Sequence, residues 1–168
     1  MSIKWRLHLH WTAGAPGIIP LERDHYNYVV DDKACVWAGS HPPEAQTPDN
    51  IKRGSKYYAA HTLNANSYAI GLAIDAMANA VEVPFDPGNN PITQAQLDSA
   101  IMFSASLCKK YGIPVERDRV LTHAEVQPTL GIKQNNKWDI MWLPGMAKPG
   151  KALEVGDHLR ALIKEALK

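Results

Sequence analysis

The chain has 168 residues, of which 45% are hydrophobic and 21% are charged. A chain of this length and composition can bury a hydrophobic core of its own, so we expect one domain over residues 1–168. Its 18 Lys and Arg residues nearly cancel its 17 Asp and Glu residues, which leaves no broad positive field and argues against a nucleic-acid partner.

The N-terminal part of the chain predicts a strand and a hairpin. In residues 3–11 apolar and polar side chains alternate, as in a strand with one buried face. Residues 12–24 predict a loop with one short helical turn. Two aromatic and β-branched runs, residues 25–30 and 34–37, lie on either side of an acidic turn and predict a β-hairpin.

The middle of the chain combines a polar segment with an apolar one. Residues 40–55 are rich in proline, asparagine and charge, and predict a long surface loop. Residues 67–75 are almost continuously apolar, which predicts a central strand buried on both faces.

The second half predicts the main helices. Thr93 and Gln96 form a capping box at the start of the clearest helix. A short strand is expected at residues 119–122, irregular structure at 124–150, and an amphipathic helix at 153–167. Together these elements predict an α/β fold, in which a mixed central β-sheet is flanked by helices.

Three polar residues, His10, His123 and Asp139, stand at the ends of predicted strands or just beyond them. Strand ends on one edge of a sheet converge at a cleft. Two neutral imidazoles and one carboxylate can hold a catalytic zinc ion and leave its fourth position open. By spacing alone, ordinary core or surface histidines are the commoner explanation.

Six short motifs follow one another along almost the whole chain. They are LHLHWTAG, HYNYVVDDKACVWAG, AHTLNANSYAIGLAID, YGIP, THAEVQP and KWD. In this order they resemble the zinc-dependent N-acetylmuramoyl-L-alanine amidases, the type 2 amidase or peptidoglycan recognition protein family, which includes phage endolysins. Six motifs in one order are far more specific than any one of them.

The resemblance implies a zinc cleft at one edge of the sheet, with Zn²⁺ as the cofactor. It implies His10, His123 and Asp139 as the metal ligands and leaves His8 outside the set. The implied reaction is hydrolysis of the amide bond between N-acetylmuramic acid and the L-alanine of the stem peptide. The implied partner is therefore peptidoglycan or a muropeptide.

The resemblance also implies two catalytic residues, Tyr26 and Lys137. Tyr26 would orient water or hydrogen-bond the oxyanion, and Lys137 would place a positive charge near the same oxyanion. Each has a simpler alternative, since Tyr26 could only pack in the hairpin and Lys137 could be a solvated lysine. Glu125, beside a ligand histidine, suits orientation of that turn better than the role of general base.

Four further residues are candidates for binding the substrate: His61, Asn66, Trp11 and Trp138. Trp11 and Trp138 are neighbours of proposed ligands, so they are placed to wall the cleft against sugar or peptide. His61 either lines the groove or caps the strand that follows.

Two departures from the family pattern bear on the role of the protein. His123 and Asp139 are 16 residues apart, which is longer than usual, and an insertion at residues 131–136 accounts for the difference. Ala73 stands where recycling enzymes carry a catalytic Glu, so Ala73 together with Tyr26 favours a phage-type endolysin. Asp139 instead favours a cytosolic recycling amidase, and a non-catalytic peptidoglycan-binding module is a third alternative.

The sequence also indicates where the protein is made. The N-terminal segment has no apolar core followed by a cleavage site, and no stretch is long and apolar enough to span a bilayer. We expect a monomer made in the cytoplasm without a signal peptide or membrane insertion, which would reach the cell wall only by another route. Cys35 and Cys108 cannot form a disulfide framework, and both are expected to be buried.

Overall fold

A five-stranded β-sheet with strand order β3-β2-β4-β1-β5 forms the centre of the computed structural model, which describes residues 2–168. The strands are β1 (Arg6–Trp11), β2 (Tyr28–Val30), β3 (Val36–Ala38), β4 (Ala69–Ile74) and β5 (Val120–Thr122). Strands β2, β4, β1 and β5 are parallel, and only β3 is antiparallel, to β2. The sheet is therefore mixed, and both the predicted α/β fold and the predicted hairpin are confirmed.

Five α-helices surround the sheet. They are α1 (Pro20–His25), α2 (Pro48–Arg53), α3 (Gln94–Tyr111), α4 (His123–Leu130) and α5 (Ala152–Ala166). The long helix α3 begins as predicted, because the Gln96 backbone N–H donates to Thr93 Oγ1 at 3.1 Å and the Thr93 N–H donates to Gln96 Oε1 at 3.1 Å. None of the helices within residues 2–168 is long and apolar enough to cross a membrane.

The central strands are buried on both faces. All six residues of β4 are buried, as its apolar sequence predicts. The last five residues of β1 are buried as well, including His8 and His10, so the prediction of one buried face was wrong for this strand. The physical reason is its place between β4 and β5, with the ring of His61 covering the second face at Gly71.

The opposite face of the sheet carries the main hydrophobic core. Helices α3 and α5 pack there against the apolar side chains of β1 and β4. The core includes Leu7, Leu9, Ile70, Leu72, Ile74, Leu97, Leu107, Cys108, Leu159 and Ile163. The turn around His61 covers the histidine-bearing face of β1 instead. The functional site therefore lies on the face of the sheet opposite to the main core.

The segment 40–55 is not the predicted loop. It contains α2 and two short 3₁₀ turns, Pro43–Ala45 and Ser55–Tyr57. Thr47 starts α2 by accepting a hydrogen bond from the Asn50 N–H at 3.2 Å, a local capping signal that the density of proline and charge obscures.

The segment 124–150 is irregular only after residue 130, because α4 begins directly after β5. Glu125 Oε2 accepts the Thr122 N–H at 2.8 Å, and the Glu125 carboxylate also pairs with Arg160 of α5. Pro128 inside the helix disfavours this structure locally. The bond from Thr122 to Glu125 is a local capping signal, and the buried ion pair with α5, which has no local sequence signal, adds to the support.

The hairpin edge of the sheet is more exposed than predicted. Cys35 is exposed, and 53% of Trp37 is accessible to solvent, because β3 is an edge strand that α3 covers only in part. Cys108, by contrast, is buried in α3 as expected.

Candidate metal centre and cleft

Three buried side chains, those of His10, His123 and Asp139, converge at the carboxyl end of β1 and β5. Each contributes one ligand atom to a group that lies within 4.8 Å. The two histidine Nδ1 atoms are 3.0 Å apart, and Asp139 Oδ2 lies 3.6 Å from His10 Nδ1 and 3.5 Å from His123 Nδ1.

Strand pairing places the two histidines together. β1 and β5 are parallel neighbours, and Leu9 is paired with Thr122. The residue after Leu9 is His10 of β1, and the residue after Thr122 is His123, the first residue of α4. The two histidines therefore lie at the same end of the sheet.

Asp139 reaches this position through an aromatic contact. The ring of Trp138 packs edge-to-face on Trp11, with centroids 4.6 Å apart. Because Trp11 directly follows His10 on β1, this contact brings the irregular segment after α4 back to the metal ligands.

The hydrogen bonds of the two histidines show which ring nitrogens face each other. His123 Nε2 lies 2.9 Å from Gln134 Oε1, an oxygen that only accepts, so this nitrogen carries the proton. His61 Nε2 donates to the Ala69 carbonyl at 3.0 Å, which leaves His61 Nδ1 to accept from His10 Nε2 at 3.1 Å. Both ligand histidines therefore turn an unprotonated Nδ1 toward Asp139.

This donor set fits a zinc ion. Two nitrogen lone pairs and a carboxylate oxygen facing one point repel each other unless a cation lies between them. Tetrahedral bonds of about 2.0–2.1 Å separate neighbouring ligand atoms by about 3.3 Å, close to the distances of 3.0, 3.5 and 3.6 Å observed here.

The protonation states also suit metal binding. Burial lowers the pKa of His10 to about 4, although the contact with Asp139 acts in the opposite direction. At neutral pH His10 is therefore neutral, which is the form in which an imidazole binds a metal.

Two of the three candidate ligands, His123 and Asp139, line a cleft of about 630 Å³, and the buried His10 lies directly behind them, with its Nδ1 3.0 Å from His123 Nδ1. Trp11, Tyr26, His61, Asn66, Lys137 and Trp138, which are the residues predicted to act in catalysis or substrate binding, all line it. Tertiary structure thus brings into one cleft the candidates that are spread over residues 10–139 of the sequence.

Tyr26 lies beside the first ligand. Its ring centroid is 5.3 Å from that of His10. Burial, with smaller contributions from the charges of Asp139 and Glu22, raises the pKa of Tyr26, so the phenol remains a protonated donor. Ala73 of β4 is paired with His10 and is fully buried, which means that no carboxylate occupies this neighbouring position.

His61 and Asn66 belong to one tightly bonded turn. Asn66 Oδ1 accepts the N–H groups of His61 and Thr62 at 3.1 and 3.0 Å, and Asn66 Nδ2 donates to the Thr62 carbonyl at 2.7 Å. Both side chains are only 7% exposed. The turn forms one wall of the cleft, and the His61 ring reaches both His10 and the start of β4, so it lines the groove and contacts the following strand at once.

Glu125 lies beneath the site rather than in it. It is fully buried, and its carboxylate binds the Thr122 N–H and the Arg160 guanidinium, the latter at 2.7 and 3.1 Å. It therefore holds the turn that carries His123 through the backbone.

The family model for N-acetylmuramoyl-L-alanine amidase matches residues 5–146, which include all three ligand residues. The chain belongs to this family. The resemblance found in the sequence motifs is thereby confirmed. Among curated proteins, no sequence matches the chain.

A solved amidase structure shares the fold. The N-acetylmuramoyl-L-alanine amidase LysC from Clostridium intestinale URNW is 17% identical, with a TM-score of 0.51 over 93% of this chain and 85% of that protein. The endolysine N-acetylmuramoyl-L-alanine amidase LysCS from the same organism is also 17% identical, with a TM-score of 0.49 over 93% and 83% of the two chains.

Sequence reasoning did not identify Gln134 as a site residue. Its side chain is 5% exposed and contacts His123 directly. The only sequence signal is the long spacing between His123 and Asp139, which marks residues 131–136 as an addition but does not indicate which of them faces the site.

Proposed function

We propose that this protein is a zinc-dependent amidase that cleaves the bond between N-acetylmuramic acid and the L-alanine of the peptidoglycan stem peptide, as a phage-type endolysin does. The observation that carries the proposal is the convergence of His10 Nδ1, His123 Nδ1 and Asp139 Oδ2 beside a cleft that His123 and Asp139 line, in a chain of the amidase family.

The ligand set would hold the ion with one position open. When bound, zinc supplies Lewis acidity toward a carbonyl oxygen and lowers the pKa of a coordinated water to about 7. His10 is neutral at neutral pH and need lose no proton to bind it.

Two residues act on the substrate in this proposal. The Tyr26 phenol, which remains protonated beside His10, donates a hydrogen bond toward the reacting carbonyl. The Lys137 ammonium, on the cleft wall two residues before Asp139, places positive charge where the oxyanion develops.

The cleft walls bind the rest of the substrate. The partly buried ring of Trp138, which packs on the buried ring of Trp11, offers apolar surface to sugar or peptide. On the opposite side, His61 and Asn66 form the wall that the stem peptide meets, and Asn66 keeps this wall in shape.

The endolysin role is favoured by the position of Tyr26 next to His10 and by Ala73 at the paired position of β4. Asp139, as an oxygen ligand, favours the second candidate, a cytosolic recycling amidase. Relative activity on the two kinds of substrate distinguishes them, since an endolysin acts on intact cell walls and a recycling enzyme on soluble muropeptides.

The test combines metal analysis with product analysis. We expect about one zinc per chain, loss of lysis of purified cell walls on chelation, and recovery on addition of zinc. Digestion should release new L-alanine amino termini and no new reducing sugar ends. His123→Ala should abolish both metal and activity, whereas His158→Ala, at an exposed histidine of α5, should change neither.

Two results would contradict the proposal. Full activity of metal-free protein would exclude the zinc mechanism, and reducing ends without alanine amines would identify a glycosidase instead.

A further inference from the structure

Gln134 is a buried amide whose polar atoms all have partners. Its Oε1 accepts from His123 Nε2 at 2.9 Å, and its Nε2 donates to the Leu63 carbonyl at 2.8 Å. Its backbone N–H donates to Gln127 Oε1 at 2.9 Å. These bonds connect the segment after α4, the ligand histidine and the far wall of the cleft.

We propose that Gln134 is a positioning residue, which holds His123 in the tautomer and ring orientation that direct Nδ1 to the metal. The identity of the metal rests on the proposed function above. An imidazole can carry its proton on either nitrogen, and an acceptor at one nitrogen fixes the proton there. Because Gln134 Oε1 faces His123 Nε2, the lone pair is left on Nδ1.

The orientation of the Gln134 amide is itself fixed. If the amide were turned over, its oxygen would face the Leu63 carbonyl oxygen, and this contact would be repulsive. The bond to Leu63 therefore determines which end of Gln134 the histidine meets.

One turn of the chain, residues 61–63, accepts a hydrogen bond from His10 and holds the side chain that accepts one from His123. His61 accepts directly from His10 Nε2, and two residues later the Leu63 carbonyl holds the amide that accepts from His123 Nε2. The additional residues between His123 and Asp139 therefore do more than lengthen a loop, because they supply the outer hydrogen-bond partner of a ligand.

Two substitutions separate the orienting role from a merely structural one. Gln134→Met keeps the length of the side chain but removes the acceptor, and Gln134→Glu keeps an acceptor for His123 but replaces the donor to Leu63 with an oxygen that its carbonyl repels. Lys133→Ala, at an exposed neighbour on the same segment, is the matched control. For each we would measure the dissociation constants of Zn²⁺ and Co²⁺ against a competing chelator, and the visible spectrum of the Co²⁺ form.

Gln134→Met should weaken Zn²⁺ binding by about 10–100-fold and alter the Co²⁺ spectrum, while Gln134→Glu should restore most of the affinity and Lys133→Ala should match the wild type. Unchanged binding in Gln134→Met would overturn the proposal. Equal losses in the Met and Glu variants, with the Co²⁺ spectrum of the wild type in both, would also overturn it, because the bond to Leu63 and not the orientation of His123 would then be responsible.

A measurement on the unmodified protein keeps the proposal testable even if a variant fails to fold. In metal-free wild type, ¹⁵N NMR of the His123 ring should show a protonated Nε2 and an unprotonated Nδ1, and a proton on Nδ1 would overturn the proposal. Failure of the proposed function would look different. Wild type that binds zinc but releases no L-alanine amines would contradict the reaction and leave the assignment of Gln134 standing.

Discussion

The two halves of the proposed metal site are built in different ways. His10 lies on an interior strand, where hydrogen-bonded neighbours on both sides fix its backbone and the residue paired with it is Ala73 of β4. Asp139 lies in the irregular segment between α4 and α5, where the Trp138–Trp11 contact and a few backbone hydrogen bonds determine its position. One half is placed by the sheet and the other by side-chain packing.

This difference suggests how the site responds to change. A strand inside a sheet moves only when the sheet unfolds, whereas a segment that pairs with no strand, even one anchored in the core by Ile140, can shift locally at a lower free energy. We therefore expect the segment that carries Asp139 and Gln134 to be more sensitive to metal removal and to substitution than the strand that carries His10.

The largest effect is expected from Asp139→Ala. Two histidines alone hold the metal poorly and leave its geometry open, so both zinc and activity should be lost, as measured by metal analysis and by release of L-alanine amines. Asp32→Ala, at an exposed carboxylate of the hairpin turn, is the control. Retention of zinc by the Asp139 variant together with its loss in Glu125→Ala would mean that a different carboxylate completes the site.

Lys137→Ala should separate catalysis from metal binding within the same segment. Loss of a group that acts mainly on the developing oxyanion should lower kcat by about 10²–10³-fold, while zinc content stays near that of the wild type. Steady-state kinetics with parallel metal analysis would test this expectation, and Lys133→Ala again provides the matched lysine control. If Lys137→Ala lost its zinc, the residue would instead shape the segment that holds Asp139.

His61→Leu tests the half of the site that the sheet places. The substitution removes the acceptor for His10 Nε2 and should weaken zinc binding by about 10-fold, the lower end of the range for such partners, because the backbone of β1 still orients His10. Chelator competition measures the effect. If His61→Leu weakened zinc binding more than Gln134→Met does, the half of the site placed by the sheet would be the more sensitive one, contrary to this expectation.

The smallest change is expected at the two cysteines. Cys35 is exposed, whereas burial in α3 raises the pKa of Cys108 to about 11, so at about pH 8 its thiol stays protonated and shielded. One thiol per chain should react with a thiol reagent, with or without a chelator, and two should react in denaturant. Reaction of both thiols on metal removal alone would show that the hydrophobic core around Cys108 opens together with the segment that carries Asp139.

Local sequence is sufficient to predict several features of the protein. The apolar run of β4 and the Thr93–Gln96 capping box predict their elements, because strand burial and helix capping depend on nearby residues. The order of the six motifs indicates the family, which the match over residues 5–146 confirms. The three candidate ligands and the cleft residues follow from that resemblance, and their individual roles remain predictions.

Other features depend on contacts between distant parts of the chain. The burial of His8 and His10 depends on where β1 lies in the sheet, and α4 depends on the ion pair between Glu125 and Arg160, 35 residues away. The bond from Gln134 to the Leu63 carbonyl spans 71 residues. The amino-acid sequence alone therefore specifies which residues are chemically able to form the site. The folded chain selects which nitrogen of each histidine faces the metal, because the hydrogen bonds that make this selection join residues with no local relationship.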